Sequence, residues 1–232
     1  MGSLKEPWEA VRARITQAAQ SSGRSPQDVR LLAVSKTFGI DAIREVAACG
    51  QRDFGENYIQ EAVEKIQLLR DDPLTHDCVW HCIGPIQSNK TRLVAEHFDW
   101  VQSIDRLKIA QRLSEQRPAH LPPQQVCLQV NIDGGPTKSG VAPQDTLALA
   151  RAVAALPRLT LRGLMTIPDA TPDVASQLAV HQRAAALFAE TAQALQLPSF
   201  DTLSMGMTGD LEAAIRAGST LVRIGTAIFG HR

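Results

Sequence analysis

Two glycine-rich segments near the end of the chain contain residue types that bind phosphate. They are Ser204-Met205-Gly206-Met207-Thr208-Gly209-Asp210 and Arg223-Ile224-Gly225-Thr226-Ala227-Ile228-Phe229-Gly230. Glycine lets backbone N–H groups approach an anion closely, while hydroxyl groups and the start of a helix add donors and positive potential. The alternative is that both segments are ordinary turns from a strand to a helix. The pattern alone leaves both interpretations open.

A lysine, Lys36, follows the apolar run Leu32-Ala33-Val34-Ser35. Because it shares the alternation of Leu32 and Val34 along a strand, it points inward if they do. A lysine in an apolar setting has a lowered pKa and can attack carbonyl carbons as an amine. The alternative is a solvated lysine just past the end of a strand.

A phosphate site and a buried lysine on one face favour pyridoxal 5′-phosphate, held as a Schiff base on Lys36. The ring nitrogen of that cofactor needs a partner, and Arg223, two residues before Gly225, can supply it. Since an arginine stays charged and cannot accept the ring proton, it favours the neutral ring and weakens the electron sink. The sequence therefore predicts a site that is poor at stabilising carbanions.

The elements that would position these residues alternate along the chain. Apolar, β-branched runs predict strands at residues 30–35, 51–54, 79–84, 100–104, 126–132, 159–166, 202–205 and 220–225. Helical patterns occupy residues 41–49, 57–69, 90–97, 107–115, 143–155, 175–195 and 210–217, after an amphipathic first helix that ends at Ser22 and Gly23. Strands that alternate with helices pair in parallel through crossovers.

Eight such units favour a single (β/α)₈ TIM-type barrel with an extra N-terminal helix, and an open doubly wound sheet is the alternative. Closure of a barrel would place the first strand beside the eighth, and hence Lys36 beside the glycine-rich segments. The proline-rich patch around Pro118, Pro122 and Pro123 is interpreted as a loop, so residues 1–232 are predicted to form one domain.

Composition argues against several classes of function. The 232 residues contain 24 basic and 24 acidic side chains, so no net charge attracts nucleic acid or an anionic membrane. No apolar run approaches the roughly 18 residues of a membrane span, and the first ten residues lack the apolar core of a secretion signal. We expect a cytoplasmic protein with four reduced cysteines.

A group of possible metal ligands lies at His76, Cys78, His81 and Cys82. Successive side chains of a strand point to opposite faces, which separates Cys78 and Cys82 from His81, and no second Cys/His pair follows at a useful spacing. The sequence therefore predicts no metal site.

Five ordered motifs across nearly the whole chain resemble the pyridoxal phosphate homeostasis proteins, called YggS in bacteria and PROSC in vertebrates. They are Ala33-Val34-Ser35-Lys36-Thr37, Phe54-Gly55-Glu56-Asn57-Tyr58, Trp80-His81-Cys82-Ile83-Gly84-Pro85-Ile86-Gln87-Ser88-Asn89-Lys90, Leu203-Ser204-Met205-Gly206-Met207 and Val222-Arg223-Ile224-Gly225-Thr226-Ala227-Ile228-Phe229-Gly230. The sequence departs from the family pattern at Cys82, where phenylalanine is usual, and at Gly209, where an acidic residue is common.

The resemblance implies a barrel like the N-terminal domain of alanine racemase, with the cofactor on Lys36. The implied pocket has Ser204, Gly225 and Thr226 at the phosphate, Arg223 at the ring nitrogen, and Asn57, Gly206 and Met207 around them. It further implies a carrier or buffer of pyridoxal phosphate without established catalysis. We expect a monomer, whose candidate recipients are apo-enzymes that use this cofactor.

The strongest alternative is a pyridoxal phosphate-dependent amino-acid racemase. Racemisation generally needs an acid or base on each face of the substrate, and Lys36 covers only one. Similar racemases take the second base from a tyrosine in an added β domain, whereas the one tyrosine here is Tyr58. A lysine-dependent aldolase without the cofactor is a further alternative. Lys138 is either a contact for the phenolic oxygen of the cofactor or a solvated loop lysine.

Overall fold

The fold is a closed barrel of eight parallel strands in sequence order, surrounded by helices. The computed structural model describes residues 2–135 and 138–230. The strands are β1 (Arg30–Val34), β2 (Asp53–Glu56), β3 (Val79–Cys82), β4 (Trp100–Ile104), β5 (Gln124–Val130), β6 (Leu159–Thr166), β7 (Thr202–Ser204) and β8 (Leu221–Ile224). The prediction of a TIM-type barrel is confirmed, and the open sheet is excluded because β1 pairs with β8.

Nine α-helices occur in the described ranges. They are α1 (Lys5–Ser21), α2 (Ile40–Ala48), α3 (Ile59–Leu69), α4 (Thr91–His97), α5 (Leu107–Gln116), α6 (Thr146–Ala154), α7 (Val174–Leu195), α8 (Leu211–Arg216) and α9 (Thr226–Phe229). Among them, none is both long enough and apolar enough to cross a membrane. The sequence pattern missed α9, because four residues are too few to show a helical period.

The extra N-terminal helix is present and packs against α8 and α9. Val11, Ile15 and Ala18 form its buried face, as their spacing predicts. Gly23 follows the helix with φ +69°, a conformation that glycine adopts without strain.

The largest apolar cluster fills the layer between the barrel wall and the helices, and Ala33, Phe54 and Cys82 belong to it. Inside the barrel a separate cluster contains Leu32, Val34, Ile83 and Leu221. The predicted inward direction of Leu32 and Val34 is therefore confirmed.

The second strand differs from its prediction, since it covers Asp53–Glu56 rather than residues 51–54. The Gln51 side chain instead donates to the Leu31 and Asp53 carbonyls before the strand begins. Gly55 faces the interior, where an added Cβ would lie 3.0 Å from Leu32 Cδ2. A strand that needs glycine at its centre gives a weak apolar pattern. The proline-rich patch lies between α5 and β5, as expected for a loop.

Candidate functional site

The carboxyl end of the barrel brings the segments after β1, β7 and β8 together. β1 and β8 are adjacent, with Ala33 opposite Ile224, and Ser204 at the end of β7 pairs with Leu221. Lys36 follows β1 by two residues, and Gly225 follows β8 directly. The backbone segment that contains Lys36 therefore lies next to the second glycine-rich segment, as predicted.

The Lys36 side chain is exposed, so the expectation of a buried lysine is wrong. The alternation that predicted burial ends with β1 at Val34, and residues 36–37 form a turn. Thr37 has φ +67°, a left-handed conformation that is uncommon for a β-branched residue. Such a conformation persists only where surrounding contacts hold it.

The contacts that hold the Lys36 turn come from a charged group between the barrel wall and α3. We call Glu56, Glu61 and Lys65 the Lys65 cluster. Lys65 Nζ lies 2.9 Å from Glu56 Oε1 and 2.5 Å from Glu61 Oε1, and it also donates to the Ser35 carbonyl over 3.0 Å. The Ser35 hydroxyl donates to Glu56 Oε1 over 2.7 Å.

The Lys65 cluster thus forms hydrogen bonds with the backbone on both sides of Lys36. On the far side, the Thr37 N–H donates to Glu61 Oε1 over 2.8 Å. Glu56 is buried, and its Oε2 has no hydrogen-bond partner among the described residues. Burial raises the pKa of Glu56, although Lys65 and Ser35 oppose the shift. Sequence reasoning missed this cluster because nothing in the motif around Glu56 indicates that its side chain meets Glu61 and Lys65 of α3.

Arg223 lies inside the barrel and is only 4% exposed. Its Nη1 donates to Ser204 Oγ over 2.8 Å, and its Nη2 donates to the Thr166 carbonyl over 2.7 Å. Burial lowers the pKa of Arg223 to about 10, which still leaves the guanidinium charged at neutral pH. The Ser204 hydroxyl donates to Gln102 Oε1 over 2.6 Å, so Ser204 joins Arg223 within the barrel.

The loop after β7 is fixed by a glycine and an aspartate. Gly206 has φ +98°, and a Cβ there would lie 2.5 Å from Ala214 Cβ, so a side chain is excluded. Asp210 accepts from the Met207 N–H over 2.6 Å, and its Oδ2 lies 2.9 Å from His181 Nε2. Burial favours a raised pKa for Asp210, but the hydrogen bonds from His181 and Met207 outweigh it and lower the pKa.

Two threonine hydroxyls meet at the start of α9. Thr226 Oγ1 donates to Thr208 Oγ1 over 3.2 Å, and Thr226 is exposed. Beside them, an added Cβ on Gly225 would lie 3.2 Å from the Val34 carbonyl, so glycine allows β8 to approach β1 closely. The two glycine-rich segments are therefore brought into contact at this end of the barrel.

Asn57 and Lys138 line a cavity of about 380 Å³ at the same end, together with Ile83 and Gln129. The Asn57 side-chain oxygen is buried and has no hydrogen-bond partner within residues 2–135 and 138–230. Lys138 Nζ lies 2.8 Å from Asp133 Oδ2 and 2.7 Å from Asp169 Oδ1.

Lys138 is therefore not a freely solvated lysine, and a ligand would share its ammonium group with these two carboxylates. Asp133 and Asp169 belong to the loops after β5 and β6, so the lysine joins those two loops. Partial burial favours a lowered pKa for Lys138, but its two carboxylate partners raise the pKa overall.

The chain resembles a known family over its full length. The family model of the alanine racemase N-terminal domain matches residues 8–232. Pyridoxal phosphate homeostasis proteins from Pseudomonas aeruginosa and Vibrio cholerae are 59% and 55% identical over 232 residues, which is 100% of this chain and 97% and 98% of theirs. The chain belongs to the family of pyridoxal phosphate homeostasis proteins. The Escherichia coli K12 member is 54% identical over the same 232 residues.

Solved structures share the barrel. PipY of Synechococcus elongatus, solved with pyridoxal phosphate bound, is 38% identical and superposes with a TM-score of 0.81, over 93% of this chain and 100% of that one. An alanine racemase from Corynebacterium glutamicum is 20% identical, with a TM-score of 0.64, and its similar region is 61% of its chain. At that identity the racemase shares the fold alone.

Proposed function

We propose that this protein binds pyridoxal 5′-phosphate at the carboxyl end of the barrel, with Lys36 as the amine that holds it, and serves in the intracellular homeostasis of that cofactor. The observation that carries the proposal is the adjacency of the Lys36 segment after β1 and the Arg223–Gly225 segment at the end of β8. The bound state of PipY supports the same ligand.

The donors at this end of the barrel suit the cofactor. A phosphate group needs several donors, and the Thr226 and Thr208 hydroxyls lie beside the close backbone approach at Gly225. A ring nitrogen without a proton needs a donor, which the Arg223 guanidinium is. Besides these donors, the Asn57 side chain offers a buried acceptor oxygen that has no partner in the described part of the chain.

We infer the roles of the other site residues from their positions. Gly206 lets the loop after β7 pass close to α8, and Met207 is held in that loop by Asp210. When bound, the cofactor supplies an aldehyde that exchanges between amines. Arg223 disfavours a protonated ring, which weakens electron withdrawal and suits storage better than turnover.

We further propose that the protein is not an enzyme. Relatives carry the name of homeostasis proteins, although neighbours with the same fold are racemases. The one tyrosine, Tyr58, is 55% exposed, so burial does not orient it as a second base opposite Lys36. Incubation with L- and D-amino acids in deuterated water, followed by NMR, is expected to show no sustained α-proton exchange. Multiple turnovers that Lys36→Ala abolishes would establish the racemase instead.

Binding is tested by absorption and by trapping. The protein loaded with pyridoxal phosphate is expected to be yellow, and borohydride followed by peptide mapping is expected to find the pyridoxyl group on Lys36. Lys36→Ala should lose the label, whereas the exposed helical control Lys108→Ala should keep it. A protein that stays colourless and unlabelled would contradict the proposal, and one that is active on carbonyl substrates without the cofactor would favour the aldolase.

The recipients that we propose are apo-enzymes that use pyridoxal phosphate, and the protein is proposed to act as a cytoplasmic monomer. Mixing the loaded protein with such an apo-enzyme should restore its activity, and light scattering during size exclusion should give the mass of one chain. Failure to reactivate, under conditions where free cofactor does so, would exclude a donor role.

A further inference from the structure

A continuous row of polar side chains runs through the barrel from Arg223 to Asp53, and all of them except the half-buried Asp53 are buried. Arg223 Nη1 lies 2.8 Å from Ser204 Oγ, which lies 2.6 Å from Gln102 Oε1. Gln102 Nε2 lies 3.0 Å from His81 Nδ1, and His81 Nε2 lies 2.9 Å from Asp53 Oδ1. We call these five residues the interior chain. It links the carboxyl end of the barrel to its amino end, where Asp53 begins β2.

The interior chain has one consistent direction of donation. A guanidinium only donates, so Ser204 accepts from Arg223 and gives its own proton to Gln102. The amide nitrogen of Gln102 only donates, so His81 accepts at Nδ1 and donates from Nε2 to the Asp53 carboxylate. His81 is fully buried, and burial lowers its pKa, which favours this neutral form.

Arg223 depends on neutral acceptors for its orientation. It forms no ion pair with the residues that the structure describes, and it donates to Ser204 Oγ and the Thr166 carbonyl. The hydroxyl of Ser204 could rotate freely, but Gln102 directs it. Gln102 is in turn fixed by His81, whose ring stacks on Trp100 with centroids 5.1 Å apart.

We propose that Gln102 and His81 are positioning residues that fix the Arg223 guanidinium through Ser204. The inference rests on the proposed function, in which Arg223 meets the ring nitrogen of the cofactor. It also gives Ser204 a different task from phosphate binding, because both the proton and an acceptor position of its hydroxyl are used inside the barrel. The hydroxyl contacts to phosphate then fall to Thr226 and Thr208.

The test compares two buried glutamines. Gln102→Met keeps the length of the side chain but removes its bonds to Ser204 and His81. Gln124→Met is the matched control, because Gln124 is equally buried yet donates to the Val94 and Phe98 carbonyls, away from the interior chain. Both variants are expected to lower the melting temperature, so stability alone cannot separate positioning from packing.

Two readouts in the protein without cofactor address the interior chain directly. Nitrogen-15 NMR is expected to find His81 in the Nε2–H tautomer and slow rotation of the Arg223 guanidinium. Gln102→Met should make that rotation fast, whereas Gln124→Met should leave it slow. Gln102→Glu keeps the acceptor for Ser204 but loses the donor to His81, so its rotation should be slower than in Gln102→Met and faster than in the parent. It provides a second variant if the methionine variant does not fold.

The third readout uses the loaded protein. Gln102→Met is expected to release pyridoxal phosphate about tenfold faster and to shift the pH dependence of its absorption. The reason is that Ser204 loses the acceptor that directs its hydroxyl, so its hydrogen bond with the charged Arg223 guanidinium is weakened. Gln124→Met should change neither. Equal release rates in the two methionine variants, a proton on Nδ1 of His81, or fast Arg223 rotation in the parent would overturn the inference. A parent protein that binds no cofactor through Lys36 would refute the proposed function while the NMR result still decides the interior chain.

Discussion

Two buried polar systems support the proposed site, one on each side of the barrel wall. The Lys65 cluster lies outside the wall, under α3, and holds the turn that carries Lys36 through charged groups. The interior chain lies inside the wall and holds Arg223 through a serine, a glutamine and a neutral histidine. One system fixes a backbone conformation, and the other fixes a side chain.

The two systems use different kinds of contact because they hold different groups in place. A strained backbone turn needs strong and localised acceptors and donors, and the carboxylates and ammonium group of the Lys65 cluster provide them. A buried cation such as Arg223 needs only enough acceptors to stay oriented, and neutral groups provide these without a second desolvated charge. Removal of one member should therefore destabilise the protein more in the Lys65 cluster than in the interior chain.

The largest expected effect is loss of stability in Lys65→Met. This change leaves buried Glu56 without its cation and removes a donor from the Ser35 carbonyl. Breaking a buried ion pair costs about 3–5 kcal/mol, and protonation of Glu56 limits the loss at low pH. Urea unfolding at neutral pH measures it, with the exposed Lys108→Met as control. A loss below about 1 kcal/mol would remove the distinction between the two systems.

The next effect separates the two hydroxyls that the sequence groups together. Thr226→Val should weaken retention of pyridoxal phosphate by roughly 1.5–3 kcal/mol, through loss of a bond to a charged oxygen, with little change in the stability of the protein without cofactor. Equilibrium dialysis and thermal unfolding measure the two quantities. Unchanged retention would remove Thr226 from the proposed phosphate site.

Ser204→Ala should behave differently from Thr226→Val. It leaves Gln102 Oε1 and Arg223 Nη1 without their partner, which should cost about 1–3 kcal/mol of stability even before cofactor is added. Thermal unfolding of the protein without cofactor checks this expectation. If stability were unchanged and only retention fell, Ser204 would act at the phosphate as the family resemblance implies.

The smallest expected effect is that the contributions of Glu56 and Asp53 to folding stability depend on pH in opposite directions. Burial raises the pKa of Glu56, so its contribution to stability is present at low pH and is lost as the pH rises through the raised value. Burial also disfavours ionised Asp53, but the hydrogen bond from His81 and the hydrogen bond and charge of Arg30 lower its pKa overall. Its contribution is present above its ordinary pKa and is lost as the pH falls through the lowered value.

Carbon-13 NMR titration of the two carboxyl groups tests this contrast. A tenfold change in a group's proton affinity between the unfolded and folded protein corresponds to about 1.4 kcal/mol of folding free energy. The pKa of Asp53 is expected below the ordinary aspartate value and that of Glu56 above the ordinary glutamate value. Displacement of both pKa values in the same direction would show that the two environments are not different in kind.

Much of the fold could be predicted because its signals are local. Eight apolar runs of strand length alternate with amphipathic helices, and the crossover rule converts that order into a parallel barrel. The alternation of Leu32 and Val34 gave their direction correctly. Gly206 and Gly225 marked places where the backbone passes close to another element. The assignment of cofactor roles to Lys36, Asn57 and the other site residues stays a prediction, as does the single domain.

What only the tertiary structure decided concerns side chains that meet across elements. Lys36 is exposed because alternation stops where β1 ends, and the direction of a turn residue depends on contacts such as that between Thr37 and Glu61. Gln102 and His81 resemble ordinary strand residues until closure of the barrel brings them to Ser204. The sequence determines periodicity because the backbone imposes it within a few residues. It leaves hydrogen-bond partners undetermined because those depend on distances between segments that lie far apart along the chain.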